Sequence, residues 1–216
     1  MTPPTIDELT IADEPQQWEQ LGFTVRDGIC QLAGVRVRLA GADAGRGIVG
    51  WSLRDLGSTE LDGLPTTISH RNPAPGAGEH PNGVLAIDHI VAMSPSFQRS
   101  VDALTHAGLD LRRIREEPTP AGAPRQAFFR LGREILELVQ EPEEAVKRGG
   151  GAERPARFWG LALLVADIEE TVEAMGEHCG AARPAVQSGR KIATLRRSAG
   201  LAVPVALMSV REEVNT

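Results

Sequence analysis

The sequence predicts an α+β fold assembled from repeated βαβββ modules. Three observations carry that expectation. The stretch Ile6-Asp7-Glu8-Leu9-Thr10-Ile11-Ala12-Asp13 lies over Ile87-Asp88-His89-Ile90-Val91-Ala92-Met93-Ser94 without a gap. A helix-forming segment follows each of these runs, and short β-rich runs follow each helix. The same rhythm starts a third time at Phe158. Self-similarity of this kind marks an architecture built from one supersecondary unit.

The elements follow in order. After Asp13 comes Pro15-Gln16-Gln17-Trp18-Glu19-Gln20-Leu21, closed by Gly22. After Ser94 comes Pro95-Ser96-Phe97 through Leu104, with Val101 and Leu104 on the face of Phe97, closed by Gly108. Asp13 and Ser94 suit N-caps, and Gly22 and Gly108 suit the left-handed residue after a helix end. In the middle copy, strands are expected from Leu109, over Gln126 to Leu131 and over Glu134 to Gln140. Pro118 to Gly122 is expected to turn between them. The last copy opens at Phe158 to Val165. Its helix runs from Ile168 to about Cys179, with Asp167 and Glu170 as a capping box and Ile168, Val172, Met175 and Cys179 as its apolar stripe. Ala185 to Gln187, Lys191 to Leu195 and Val203 to Met208 complete it.

The first copy reads as partial, with strands at Thr24-Val25, Ile29 to Ala33 and Val35 to Leu39. Gly47 to Leu56 resembles the opening strand of a further module with no helix after it. The boundaries are a partial module over 1–56, a linker or irregular loop over 57–82, a βαβββ module over 83–141, a flexible linker over 142–156 and a βαβββ module over 157–210. The second linker is given by Lys147-Arg148-Gly149-Gly150-Gly151.

The chain has 216 residues, 41% of them hydrophobic and 24% charged, which is ordinary for a globular protein with a sizeable core. A net charge of −6 argues against nucleic acid or an anionic membrane as the main partner. Arg112, Arg113, Arg115, Arg196 and Arg197 read as the wet sides of strands. No apolar run reaches the ~20 residues that span a bilayer. The start, Met1-Thr2-Pro3-Pro4, shows no secretory signal, and Cys30 and Cys179 read as buried reduced thiols, so a cytoplasmic location is expected.

The chemistry concentrates in two residues. His89 sits in the strand-like run Ile87 to Met93, and Glu137 in the run Ile135 to Val139. Side chains of equal parity in a strand share a face, so each lies among apolar neighbours. Ionisable groups placed there are costly unless paired or coordinated. An imidazole with a carboxylate suits Zn, Fe, Mn, Co or Ni, and ligand type does not choose among them. The alternative is that His89 and Glu137 hydrogen-bond each other or a ligand.

Ile87-Asp88-His89-Ile90, Leu136-Glu137-Leu138-Val139 and the turn Leu164-Val165-Ala166-Asp167-Ile168 resemble the vicinal-oxygen-chelate superfamily of glyoxalase I, bleomycin-resistance proteins and extradiol dioxygenases. The resemblance covers 83–210 as a pair of modules and 4–56 more weakly. It implies that paired modules form an open, barrel-like cup around a small molecule, with metal ligands on the first and last strands of both modules. Carried over, the middle copy supplies His89 and Glu137. The last copy places Gly160 and Ala206 where the other His and Glu would stand, and the first offers Glu8 and either Arg38 or Leu39.

Two functions follow. One is a binder of a small organic molecule with a half-degenerate metal site, as in the bleomycin-resistance branch. The other is a metal-dependent lyase, isomerase or dioxygenase with His89 and Glu137 as ligands to a divalent metal, Glu137 also moving a proton. Arg130 and Arg190 are placed to clamp an anion, with Gln187 beside them. Phe128 and Trp159 are placed to stack on a flat ligand, Trp159 because it adjoins Gly160. His70 and His80 are loop histidines that can supply a missing ligand, although an exposed loop His is the commoner case. Module pairing within one chain or between two copies both fit, so the reading admits a homodimer.

Overall fold

A computed structural model describes residues 3–73, 76, 78–119 and 122–211, so Pro120 and Ala121 of the expected turn lie outside it. The chain divides into two compact units, one of Met1–Asp7, Gly50–Asn72 and His89–Trp159, the other of Glu8–Val49, Pro73–Asp88 and Gly160–Thr216.

The N-terminal copy is complete in order, not partial: β1 (Thr5–Ile11), α1 (Pro15–Gln20), β2 (Val25–Arg26), β3 (Ile29–Leu32) and β4 (Val35–Leu39). Glu14, not Asp13, is the N-cap of α1. Asp13 instead accepts the Trp18 Nε1 proton at 3.1 Å and the Ala202 amide at 2.6 Å. Gly22 follows the end of α1 with φ of 81°, a conformation costly for any side chain.

Next come β5 (Ile48–Arg54) and β6 (Thr66–Ile68), which pair in parallel with no helix between them. A buried carboxylate replaces the missing elements. Asp7 accepts from Arg54 on one oxygen, and from Arg71 at 2.9 Å and Ser69 at 2.7 Å on the other. Arg54 also donates to the carbonyls of Ile6 and Arg71. Ser69 and Arg71 of the segment expected to be a linker are thus fastened to β1.

The middle copy is β7 (Val84–Ser94), α2 (Phe97–His106), β8 (Asp110–Arg115), β9 (Gln126–Leu131) and β10 (Glu134–Gln140). Phe97, Val101 and Leu104 form the buried stripe of α2, which packs against β10. Alternation does the rest: Leu136 and Leu138 are fully buried on one face, and Ile135 and Glu137 are half-buried on the other.

Residues 142–156, expected to be flexible linker, hold α3 (Glu143–Arg148). The helix has acids in its first turn, bases in its last and a Glu143–Lys147 ion pair at 2.7 Å. All three suit the helix dipole and i,i+4 pairing, a signal that apolar periodicity misses. Buried Glu141 takes Arg154 at 2.6 Å just outside it.

The C-terminal copy is β11 (Arg157–Val165), α4 (Ile168–Met175), β12 (Arg183–Pro184), β13 (Lys191–Thr194) and β14 (Val205–Ser209). Asp167 caps α4 by accepting the Glu170 amide at 3.0 Å. The helix stops at Gly176 and a single tighter turn carries the chain to Cys179. Ala185 to Gln187 lies just beyond β12 instead of forming a strand. Among the described residues the strands pair in the orders β2-β3-β4-β1 and β5-β6, and β12-β13-β14-β11 and β7-β10-β9-β8. Cys30 and Cys179 are both free and buried, and burial pushes the Cys30 thiol up to about 12. No helix among the described residues is long and apolar enough to cross a membrane.

Candidate functional site

Strand register assembles the site in the middle copy. In the parallel pair of β7 with β10, Ile135 stands opposite His89 and Glu137 opposite Val91. In the antiparallel pair of β10 with β9, Ile135 stands opposite Arg130, Glu137 opposite Phe128 and Val139 opposite Gln126. Directly opposed side chains share a face. One face therefore carries His89, Val91, Met93, Ile135, Glu137, Val139, Gln126, Phe128 and Arg130. Ala123 packs against Val91, Val139 and Met93 at its apolar end.

On this face Glu137 is held at both oxygens. His89 Nε2 lies 3.3 Å from Oε2, and Gln126 Nε2 donates to Oε1. The three are diagonal neighbours across adjacent strands. Gln126 is 8% exposed, and its own Oε1 is buried with no hydrogen-bond partner among the described residues. The signal for Gln126 in the sequence is its parity with Phe128 and Arg130 within Gln126–Leu131.

The same diagonal recurs in each copy. Thr10 opposes Arg38 as Val91 opposes Glu137, which places Glu8 at the His89 position and Arg38 at the Glu137 position. There the diagonal is a two-pronged ion pair, with Arg38 Nε and Nη2 at 2.8 and 3.0 Å from the Glu8 carboxylate. That contact raises the Arg38 pKa above its ordinary value. In the C-terminal copy Ala162 opposes Ala206, so Gly160 and Ala206 occupy the two positions, as the sequence alignment expects. A Cβ on Gly160 would come within 2.6 Å of the Pro204 carbonyl oxygen. The backbone has closed on the place where a ligand side chain would start.

The remaining expected residues are placed as follows. Phe128 and Arg130 share the face of Glu137, Phe128 half-buried and Arg130 exposed. Trp159 is 48% exposed, and as the neighbour of Gly160 in a strand it points to the opposite side of β11. Arg190 donates to Asp88 at 2.6 Å, to Gln187 at 2.9 Å and to the Ser209 carbonyl at 2.8 Å. Its guanidinium thus holds the turn before β13, and Gln187 serves as one of its acceptors. His80, expected to be exposed, is buried. Its Nδ1 accepts the Thr24 amide at 3.0 Å, so Nε2 carries the proton given to the Gln31 carbonyl at 3.0 Å. It is spent on the N-terminal copy and is no loop ligand. His70 stays exposed.

A divalent metal would need more donors than this. The 3.3 Å between His89 and Glu137 matches the edge of a tetrahedron with bonds of about 2.1 Å. Yet among the described residues no group of three or more His, Cys, Asp and Glu side chains is placed to hold an ion. Catalytic sites of this kind ordinarily have three protein ligands. The donor set present does not fit a resident catalytic metal.

No family model matches the chain, and no curated protein matches it. Solved structures do. A xylose isomerase-like TIM barrel/4-hydroxyphenylpyruvate dioxygenase fusion protein matches over 98% of this chain and 50% of its own, at TM-score 0.59 and 10% identity. Methylmalonyl-CoA epimerase from Mycobacterium tuberculosis matches over 59% of this chain and 89% of its own, at TM-score 0.46 and 16% identity. A hypothetical protein from Bacillus halodurans C-125 matches over 60% of this chain and 97% of its own, at TM-score 0.46 and 19% identity. The chain spans about half the length of the fusion protein. At 10% identity the likeness to the fusion protein shows a shared fold.

Proposed function

We propose that the protein binds a small organic molecule on the face of the middle copy that carries His89 and Glu137, without a resident metal. One observation carries this reading: the Glu137 carboxylate is satisfied by His89 and Gln126, while the matching positions of the C-terminal copy are Gly160 and Ala206. A face that keeps a satisfied carboxylate and lacks the second pair of donors suits binding more than metal chemistry. Phe128 and Arg130 belong to this face. Fold alone leaves the ligand open in so varied a group.

The second reading is a metal-dependent lyase, isomerase or dioxygenase, and the 3.3 Å spacing of His89 and Glu137 favours it. The two separate cleanly. Purified protein is stripped with chelator, supplied in turn with Zn, Mn, Fe, Co and Ni, dialysed and measured for metal content. The binder reading expects no stoichiometric metal and no rise in Tm. One equivalent retained by the native chain, and lost in His89→Ala, would sink it in favour of the metalloenzyme.

A further inference from the structure

The face that holds Glu137 does not end at β9. In the antiparallel pair of β8 with β9, Arg113 stands opposite Phe128, Arg115 opposite Gln126 and Asp110 opposite Arg130. A register shift between Leu111 and Arg113 brings this about. The bulge turns Arg112 aside, where it pairs with Asp110 at 3.2 Å, and returns Arg113 to the face of Phe128. Without it, the residue opposite Phe128 would be Arg112.

The rows across the sheet then read Arg113, Phe128, Glu137, Val91, and beside it Asp110, Arg130, Ile135, His89. An aromatic ring and an isoleucine form the floor. At one side lie a carboxylate and an imidazole, at the other two guanidinium groups. Arg115 and Arg125 spend their charge on Glu117 at 3.5 Å and Glu116 at 3.8 Å. Arg113 has no ion-pair partner among the described residues, and Arg130 donates there only to the Gly132 carbonyl at 3.4 Å. Both are exposed, and Asp110 is already drawn to Arg112. Two cations left uncompensated beside a half-buried ring are a receptor for an anion, since guanidinium binds carboxylate in planar, two-point fashion.

We infer that the ligand is a small organic anion that lies over Phe128, its carboxylate on Arg113 and Arg130 and a hydrogen-bond donor directed to Glu137. The inference rests on the binding face proposed above and adds the charge and length of what binds there. Two strand spacings, about 9–10 Å, separate the backbone at Arg113 from that at Glu137. Long, flexible arginines shorten the gap to the span of one substituted aromatic ring.

The test uses two matched series of para-hydroxylated aromatic fragments, one of carboxylates and one of the corresponding carboxamides. Binding to the 15N-labelled full chain is followed by amide shifts of Phe128, Glu137 and His89. Carboxylates should bind at least tenfold more tightly than their amides. Arg113→Gln combined with Arg130→Gln should abolish that preference and leave amide binding as it was, and Arg133→Gln, on the exposed turn beyond β9, should keep it. Amides that bind as well as acids, or a preference that survives the double change, would overturn the inference and leave the binding face standing. If neither series moves these resonances, both the inference and the binding face fall.

Discussion

The middle and C-terminal copies share one order of elements and one register, yet they place different side chains on the same diagonal. Val91 faces Glu137 as Ala162 faces Ala206, and the residue two places earlier is His89 in the first case and Gly160 in the second. The copy without donors folds just as completely. An imidazole and a carboxylate at these two positions are therefore not needed to make the module. The N-terminal copy gives the third solution, an ion pair of Glu8 with Arg38 on the same diagonal. One geometric position has been used three ways.

The difference can be attacked directly. Gly160→His puts the missing ligand type back, but its Cβ would lie 2.6 Å from the Pro204 oxygen. We expect a loss of about 3 kcal/mol in urea unfolding, as for overpacking, and no gain of metal. A stable variant that takes up zinc would show that the C-terminal copy had kept room for the donor. Next in size is Glu137→Ala, which removes the acceptor of Gln126 Nε2 and the carboxylate beside His89. Leaving such groups unsatisfied costs about 2 kcal/mol, and a loss below about 0.5 kcal/mol would mean that water replaces the carboxylate freely. Glu8→Ala should cost less than about 1 kcal/mol, because the Arg38 side chain it releases is 42% exposed and can be hydrated.

The smallest effect concerns the base of β10. Glu134 stands three residues before Glu137, where the C-terminal copy has the apolar Val203 three residues before Ala206. Burial raises the Glu134 carboxyl above its ordinary range. A raised folded value means that its stabilising share is complete below the unfolded value, about 4.3, and is lost as pH climbs through the folded one. Glu134→Gln should remove that limb, so that its Tm exceeds the native one at pH 7 and the two converge toward pH 4. Parallel curves over that range would show that Glu134 is not desolvated.

Repeats made much of this legible. Gapless alignment of Ile6 to Asp13 over Ile87 to Ser94 placed Glu8 on the His89 diagonal, and the helix starts put Gly160 there too. What failed depended on facts outside local pattern. Trp159 adjoins Gly160 in sequence, but adjacency in a strand means opposite faces. The helix at Glu143–Arg148 has charge pairing in place of an apolar stripe. Gln126 and Arg113 join the site through cross-strand register, and for Arg113 through a bulge, neither of which periodicity reveals. His80 is buried because Thr24 and Gln31, far away in sequence, meet both of its nitrogens.

The parallel pairing of β7 with β10 has a kinetic meaning. The strand bearing His89 and the strand bearing Glu137 open and close the module, so helix, turn and two strands must be in place before they meet. Closure of such non-local contacts is slow, and a partly unfolded chain holds neither half of the site usefully. Any molecule bound across the two strands acts as a clasp on the module. Its presence should slow the opening of β10, and hydrogen exchange at Leu136 and Leu138 would report occupancy even for a ligand whose chemistry is silent.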